Sequence, residues 1–397
     1  MFRRSFLALA AFVAFAAPVA VAQIQDAVAF AAISPDGANV AMVRVAGDKK
    51  ILIIAPTVGD AKPKAIDVSD RVVRALHWPS NSHVITSFET PNPEAREAKF
   101  VDPAARDTAP PKVLRAAFSL NVATMKSVQL LGARNAGLGR TSRLDRILTT
   151  LNDTEVLMAA PVRDDDVQFE GIREERRTTT ANERSIVRAA LSIWKVNLDT
   201  GVGIPQTRGE PATRAWFVSV SGAPLARIDR DGDGPAEIWS YVGGGPKRVF
   251  SVPNTVGLLG QGRQGQGAAL IVSGRFDGAA GRSARALDPA TGALGPDLTA
   301  PEADVFNAII GREGSVLGML TRPGGAVWLD PGMAALQKTL NGLSPGATIA
   351  LHEASDDRTK AIVKVTRAGA AQWFLFDVAT NKAELLGPDI TRTDPMD

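Results

Sequence analysis

A polar turn that recurs along the chain constrains its fold more than any other feature. Asp-Val-Ala-Thr-Asn at 377–381 matches similar pentapeptides that begin at Asp288, Asn197 and Asn121. Each of them follows a short apolar segment. The Asp or Asn side chain can bond to its own backbone two residues on, and Gly or Asn tolerates the left-handed conformation. The repeated motif therefore predicts a β-hairpin turn.

The spacing of such turns predicts the architecture. Turns at 197, 243, 288, 331 and 377 lie 46, 45, 43 and 46 residues apart, and further turns fall at 59 and 121. A period of about 40–45 residues with four strands is typical of a propeller blade. Seven such units predict an all-β, seven-bladed β-propeller. The alternative is a pair of β-sandwiches, which also contain short strands and frequent turns.

Two segments interrupt the period and are predicted to be excursions from the blades. Residues 89–111 are rich in Pro, and residues 163–185 are rich in charge, and neither alternates with the period of a strand. By contrast, residues 33–45 (ISPDGANVAMVRV) place a Pro-Asp-Gly turn before a pattern that suits an inner blade strand.

The first residues have the pattern of an export signal. Arg3 and Arg4 precede an apolar run, and the small residues of Ala20-Val21-Ala22 predict cleavage between Ala22 and Gln23. The predicted organisation is a signal peptide at 1–22, a propeller at 23–390 and a tail at 391–397. The general secretory route is favoured over twin-arginine export, and an uncleaved anchor is the alternative. We therefore expect a periplasmic or secreted protein with no membrane segment after cleavage.

Composition excludes several classes of function. The absence of cysteine rules out disulfides, thiolate metal sites and cysteine nucleophiles. Removing Arg3 and Arg4 from 45 basic residues leaves 43 against 42 acidic ones, a net charge of +1. No basic block with interleaved aromatic residues occurs, so no nucleic-acid partner is expected. No cofactor is predicted.

Three stretches together resemble one family. They are residues 33–45, residues 327–365 and residues 372–387 (QWFLFDVATNKAELLG). Their order and spacing resemble the N-terminal propeller of the prolyl oligopeptidase family of serine peptidases, in particular its acylaminoacyl- and dipeptidyl-peptidase-like members. The resemblance implies a propeller that caps a catalytic α/β-hydrolase domain and admits short peptides. Partners are then peptides or a separate α/β-hydrolase chain.

Catalytic residues of that family are not found in this sequence. A nucleophile elbow needs Gly-x-Ser-x-Gly, and the nearest segments, Gly281–Arg285 and Gly314-Ser315, lack the flanking glycines. His77, His83 and His352 lie within blade patterns. We therefore expect a propeller that is not catalytic on its own. The alternatives are a free-standing binding or scaffold propeller similar to TolB, and a fragment of a longer peptidase.

Two acidic groups are candidates for binding sites. Asp229, Asp231 and Asp233 have the spacing of a calcium loop, but Ser240 stands where that loop needs a bidentate Glu, which favours a polar hairpin tip. Glu174 and Glu175 resemble the acidic pair that holds a substrate's amino terminus in dipeptidyl peptidases. Arginines flank this pair, which favours a solvated insertion.

Overall fold

The computed structural model describes residues 26–59, 61–91, 113–132, 146–162, 190–232, 234–252, 257–264, 267–322 and 325–390. Over these residues the chain forms seven antiparallel sheets, each built from strands that are consecutive in sequence. The predicted seven-bladed β-propeller is confirmed. The chain divides into two compact units. One combines residues up to 67 with those from 331 onward, and the other is Val68–Asp330.

The strands follow one another blade by blade. Blade 1 contains β1 (Ala27–Ile33), β2 (Asn39–Ala46), β3 (Lys49–Pro56) and β4 (Lys64–Asp67). Blade 2 contains β5 (Val72–Ser80), β6 (His83–Pro91), β7 (Val113–Asn121) and β8 (Ser127–Gln129). Blade 3 contains β9 (Arg146–Asn152), β10 (Glu155–Val162), β11 (Ala190–Asn197) and β12 (Gly203–Thr207). Blade 4 contains β13 (Thr213–Val218), β14 (Pro224–Asp229), β15 (Ala236–Ser240) and β16 (Lys247–Val252).

The remaining blades hold the helical elements. Blade 5 contains β17 (Gly257–Gln264), β18 (Gly267–Gly274), β19 (Ser283–Leu287) and β20 (Leu294–Asp297), and a 3₁₀ turn, Pro301–Ala303, follows it. Blade 6 contains β21 (Val305–Ile310), β22 (Val316–Thr321) and β23 (Ala326–Trp328). Helix α1 (Pro331–Leu343) then leads to blade 7, with β24 (Thr348–Ala354), β25 (Lys360–Arg367), β26 (Ala370–Asp377) and β27 (Lys382–Pro388).

The recurring polar motif forms a β-hairpin turn, as predicted, and the structure places this turn between the third and fourth strands of a blade. In blade 3, Oδ1 of Asn197 accepts hydrogen bonds from the backbone N–H groups of Asp199, at 3.1 Å, and Thr200, at 2.9 Å. The N–H of Gly201 donates to the carbonyl of Asn197 at 2.8 Å, which closes the turn. The copies that begin at Asn121, Asp288 and Asp377 use their side-chain oxygens in the same way.

Two of these turns dock on the preceding blade, which explains their glycines. A Cβ atom on Gly201 would lie 2.1 Å from the carbonyl oxygen of Gln129 in β8, and one on Gly292 would lie 2.1 Å from that of Val249 in β16. Both glycines also have positive φ angles, of 71° and 77°. In blades 3 and 5 the turn thus contacts the preceding blade as well as reversing the chain.

Apolar layers fill the space between neighbouring blades of the Val68–Asp330 unit. Ile85 of blade 2 and Trp194 of blade 3 belong to one layer and are each 2% exposed. Similar layers join blades 3 and 4, blades 4 and 5, and blades 5 and 6. Burial of side chains of this size contributes about 1.5–3 kcal/mol each. The packing between neighbouring sheets therefore makes a large contribution to the stability of the unit.

In the other unit, blades 1 and 7 pack side by side. Val28, Ile33, Ile362 and Trp373 share one apolar cluster. The N–H of Ile390 donates to the carbonyl of Val28 at 3.2 Å, and no strand is exchanged between the two described sheets. The first and last blades are thus joined mainly by side-chain contacts.

Blades 1 and 7 each have the same type of turn between their first and second strands. Ser34 Oγ donates to Asp36 at 2.6 Å, and Ser355 Oγ donates to Asp357 at 2.6 Å. In each turn the same hydroxyl accepts a backbone N–H from the start of the following strand. Gly37, at a φ of 70°, occupies the left-handed position of the first copy, and Arg358, at a φ of 57°, occupies it in the second.

The prediction was wrong about the turn at 331. Residues 331 and 332 begin helix α1 and do not form a hairpin, so blade 6 has three strands within its described residues. Pro is favoured in the first turn of a helix because its missing N–H would be unpaired there in any case. The helix buries Met333, Leu336 and Leu340, which lie on one face at helical spacing.

Other boundaries differ from those expected. Residues 89–91 end strand β6, where Pro91 pairs with Val113, so the first excursion begins later than predicted. The segment 33–45 leads into β2, which lies between β1 and β3 and is an inner strand of its blade, as predicted. Residues 1–22 with the Ala22–Gln23 cleavage site, 92–111, 163–185 and 391–397 lie outside the described residues.

Candidate ligand-binding cavity

A cavity of about 260 Å³ lies within the Val68–Asp330 unit, where the first strands of blades 2, 3 and 6 approach one another. Its walls combine apolar side chains with three polar residues. The lining consists of Ala75, Leu76, His77, Ile85, Ser87, Ala117, Ile147, Met158, Ile310, Gly311 and Arg312. Ala75, one of the lining residues, is exposed to solvent. A concave, mostly apolar pocket with a few polar groups is typical of ligand sites.

The turn that joins β21 to β22 brings Arg312 to this cavity. The N–H of Gly311 donates to the carbonyl of Ser315 at 2.8 Å, and the N–H of Gly314 donates to the carbonyl of Gly311 at 2.9 Å. Gly314 has a φ of 74°, a left-handed conformation that glycine adopts without steric cost. The segment Gly311-Arg-Glu-Gly314 therefore makes a tight turn with Arg312 at its tip.

Side chains from blades 3 and 5 hydrogen-bond to the backbone of the turn between β21 and β22. The Thr150 hydroxyl of blade 3 donates to the carbonyl of Arg312 at 3.4 Å, and the Gln261 amide of blade 5 donates to the carbonyl of Glu313 at 3.1 Å. A Cβ atom on Gly314 would lie 1.9 Å from the carbonyl oxygen of Leu148. The backbone of the turn is thus fixed by contacts that reach across three blades.

His77 gives the cavity a neutral polar group beside a cation. Burial, followed by the positive charge of Arg312, lowers the pKa of His77 to about 4. The imidazole is therefore uncharged at neutral pH. Its Nε2 atom is buried and has no hydrogen-bond partner among the described residues. A buried polar atom of this kind is one that a ligand or a water molecule usually satisfies.

A serine, a histidine and an aspartate meet between blades 2 and 3. His83 Nδ1 lies 3.0 Å from Ser82 Oγ, and His83 Nε2 lies 3.0 Å from Asp199 Oδ1. Asp199 belongs to the docking turn of blade 3, and the hydrogen bond from His83 is the largest cause of its lowered pKa. Sequence reasoning missed this group because the three residues come from two different blades.

The geometry of this group favours a structural role over a catalytic one. A general base needs an unprotonated nitrogen that faces the serine hydroxyl. Here the Nδ1 atom of His83 also lies 3.2 Å from the carbonyl of Asp153, which can only accept a hydrogen bond. The Ser80 hydroxyl donates to the same carbonyl at 2.8 Å. The group therefore links blade 3 to the start of β6.

The sequence-predicted calcium ligands do not converge among the described residues. Asp229 is buried at the end of β14, where it binds Arg227 at 3.0 Å and accepts a hydrogen bond from Thr213 at 2.8 Å. Asp231 is exposed in the turn to β15, and Asp233 lies outside the described residues. Strands flank this turn on both sides, as expected for a hairpin tip.

The remaining sequence candidates are dispersed. Ser283 lies in β19 and donates to Asp297 at 2.6 Å, and Ser315 follows the turn beside the cavity. His352 packs edge-on against Trp373, with ring centroids 5.0 Å apart. Glu174 and Glu175 lie outside the described residues.

Two further properties concern metals and membranes. Within the described ranges, no three His, Asp or Glu side chains form a group that could hold a metal ion. The helical part of the described chain contains no segment long and apolar enough to cross a bilayer.

No protein-family model matches the chain, and no curated protein matches its sequence. Solved structures do match in fold. A prolyl endopeptidase, described in an analysis of two such enzymes, is 12% identical with a TM-score of 0.53, and the match covers 92% of this chain and 50% of that one. The chain thus spans about half the length of this relative. The expected likeness to prolyl oligopeptidase propellers is confirmed at the level of fold.

Two other peptidases match with lower scores. Oligopeptidase B from Leishmania major is 10% identical, with a TM-score of 0.47 and coverage of 91% of this chain and 48% of that one. The Pyrococcus horikoshii acylaminoacyl peptidase is also 10% identical, with a TM-score of 0.46 and coverage of 91% and 52%.

Proposed function

We propose that this chain is an exported propeller that controls which peptides reach a serine hydrolase, and that it is not catalytic itself. The observation that carries the proposal is the fold, since the described blades match the propeller half of a prolyl endopeptidase over 92% of this chain. Fold alone does not determine function. The cavity, with its apolar walls and polar residues, adds a place where part of a small molecule can be held.

The placement of the possible nucleophiles and bases supports a non-catalytic role. Hydrolysis through a serine needs a base within hydrogen-bond reach and donors for the developing oxyanion. Ser283 is bonded to the carboxylate of Asp297, and His83 shares its Nδ1 with a backbone carbonyl. His352 is enclosed against Trp373. The hydrolase would be a separate chain; in the alternative proposal it continues this polypeptide.

A labelling experiment tests the catalytic part of the proposal. The purified chain is treated with a fluorophosphonate serine probe beside an active serine peptidase as a positive control. We expect no labelling of the chain. Stoichiometric labelling would refute the non-catalytic role, and the modified serine, located by mass spectrometry, would identify the nucleophile. Ser82→Ala is the informative variant, because the Ser82 hydroxyl lies 3.0 Å from Nδ1 of His83, and Nε2 of His83 lies 3.0 Å from the Asp199 carboxylate.

A second experiment tests control of access. A probe-reactive protein that co-purifies with the chain is assayed on a short peptide and on a folded protein substrate, with and without the propeller. We expect cleavage of the folded substrate to rise when the propeller is removed while cleavage of the short peptide persists. Unchanged discrimination between the two substrates would refute a gating role.

Export is tested separately. The precursor is expressed with its first 22 residues intact, and the amino terminus of the protein recovered outside the cytoplasm is sequenced. A mature chain that begins at Gln23 is expected. Recovery of the full-length precursor only from the cytoplasm would contradict export.

A further inference from the structure

A buried histidine lies where blade 2 meets two turns of blade 3. His83 begins β6 and is 1% exposed. Its Nδ1 atom lies 3.0 Å from the Ser82 hydroxyl and 3.2 Å from the carbonyl of Asp153. Its Nε2 atom lies 3.0 Å from the Asp199 carboxylate. Ser82 belongs to blade 2, whereas Asp153 and Asp199 belong to turns of blade 3, so each ring nitrogen can connect the two blades.

The Nε2 atom of this ring faces a group that can only accept a hydrogen bond. The hydrogen bond from His83 is the largest cause of the lowered pKa of Asp199, and Asn121 and Lys126 add to it, so the carboxylate is ionised at neutral pH. An ionised carboxylate offers acceptors and no donor. The amide of Asn121 also donates to the same carboxylate oxygen, at 3.3 Å. Nε2 therefore carries a proton in both the neutral imidazole and the imidazolium.

The Nδ1 atom has two neighbours of opposite kind. The Ser82 hydroxyl can donate a hydrogen bond, whereas the carbonyl of Asp153 can only accept one. The Ser80 hydroxyl donates to the same carbonyl at 2.8 Å, which leaves its second lone pair for His83. In the neutral ring, Nδ1 accepts a hydrogen bond from Ser82. In the imidazolium, Nδ1 donates to Asp153, so the charge of the ring decides which blade this atom binds.

The charged groups on the surrounding turns favour the protonated ring. Asp199 contacts the ring directly, and Asp153 and Lys126 are exposed in neighbouring turns. Glu155, at the start of β10, is paired with Lys195 at 3.3 Å. The neutral ring makes one hydrogen bond to blade 3, through Nε2. The imidazolium makes two, and its bond to the carboxylate joins opposite charges, which strengthens it.

We propose that His83 is a proton-operated latch between blades 2 and 3. When the ring gains a proton, its Nδ1 atom changes partner from Ser82 to the carbonyl of Asp153, and the docking turn that carries Asp199 is held more tightly on blade 2. When the ring loses that proton, one bond between the blades is lost and the turn is held less tightly. The inference rests on these contacts alone and is independent of whether the chain controls a hydrolase.

The first test observes the ring itself in the unmodified protein. The full chain is labelled with ¹⁵N-histidine, and the imidazole signals are followed by NMR between about pH 5 and about pH 9, the range in which histidine changes charge. For His83 we expect two protonated nitrogens at the low end and a single proton, on Nε2, at the high end. A proton on Nδ1 at the high end would refute the exchange of partners, and a ring whose protonation is constant over the range would refute the latch.

Amide exchange measures the docking. The N–H of Leu131, just after β8, donates to the carbonyl of Gly201 in the docking turn at 2.9 Å, so its protection reports whether the turn is docked. We expect its protection factor, corrected for the intrinsic exchange rate, to fall about fivefold from about pH 5 to about pH 8, the effect of one hydrogen bond. The N–H of Tyr241, which bonds to Leu225 within blade 4, is the internal control and should change by less than about twofold. A Leu131 protection factor that is constant or rises with pH would refute the proposal.

Variants assign the pH dependence to one residue. Glutamine has no charged form, and its amide can donate to Asp199 as the neutral ring does. In His83→Gln we therefore expect the protection factor of Leu131 to be the same at both pH values. His352→Gln, which changes a histidine of blade 7, is the matched control and should keep the pH dependence. Persistence of the dependence in His83→Gln would refute the assignment. If that variant does not fold, Asp199→Asn, which removes the charge and keeps an acceptor oxygen, replaces it and should also lose the dependence.

Discussion

Replacing Gly314 with alanine tests whether the turn beside the cavity is fixed by its close approach to blade 3. Two costs combine in Gly314→Ala. The left-handed φ of 74° costs an alanine about 1 kcal/mol. The added Cβ would also lie 1.9 Å from the carbonyl oxygen of Leu148, so the turn must move by more than 1 Å to reach even 3.0 Å.

That movement breaks hydrogen bonds that hold the turn. The bonds from Gln261 to Glu313 and from Thr150 to Arg312 contribute about 0.5–1.5 kcal/mol each, or about 2 kcal/mol together. The expected loss of unfolding free energy in Gly314→Ala is therefore about 3 kcal/mol. Gly278→Ala is the matched control. Its φ is 78°, and a Cβ there meets no atom within 4 Å, so it should lose only about 1 kcal/mol.

Urea unfolding followed by tryptophan fluorescence measures both variants at the same pH and protein concentration. The midpoint should fall further in Gly314→Ala than in Gly278→Ala, with the slope m unchanged in each. Equal losses in the two variants would show that only the backbone conformation matters. The argument that blade 3 clamps the turn would then be refuted.

Three further predictions concern single residues. The pKa of His77 is about 4 in the folded state and 6.5 in the unfolded chain, so the unfolded chain binds more protons as the pH falls below about 6.5. Ionisation of His77 should therefore lower the free energy of unfolding by about 2 kcal/mol when the pH falls from 7.5 to 5. The free energy of unfolding of His77→Gln, measured in urea, should depend less on pH over this range. Asn197→Ala should lose about 1 kcal/mol through the docking turn, while Asn197→Asp, the residue of two other copies, should lose less in the same assay. Asp229→Ala should lose about 3 kcal/mol because it leaves the buried Arg227 guanidinium without its carboxylate partner. Millimolar calcium should not raise the melting temperature of the unmodified protein, and a calcium-dependent rise would favour the loop as a metal site.

The propeller could be predicted because its signals are local. The Asp or Asn that begins each docking turn bonds within four residues, so its chemistry is visible in any copy of the motif. The helix at 331–343 was not predicted, because its first two residues resemble a turn. Pro331-Gly332 has the composition of a turn, and the helical spacing of Met333, Leu336 and Leu340 is the signal that distinguishes the two.

The cavity could not be predicted from the sequence. His77, Met158 and Arg312 lie in three blades, and no spacing in the chain relates them. These residues come together only when complete sheets pack, and Gly314 permits the close contact between the turn of blade 6 and Leu148 of blade 3. The Ser82–His83–Asp199 group escaped detection for the same reason, since only the docking of blade 3 brings Asp199 to the histidine.

The side-by-side junction of blades 1 and 7 has a consequence for folding kinetics. Every described ladder joins strands that are neighbours in the sequence, so each sheet can form by closing loops within its own blade and needs no strand from another blade. Blades can then form one after another as the chain emerges from the ribosome. We expect the contact between Val28 and Ile390 to form last, because its partners are far apart in the sequence. Amide exchange should be faster at that junction than in the middle of β2 or β25, since it can open without breaking a sheet.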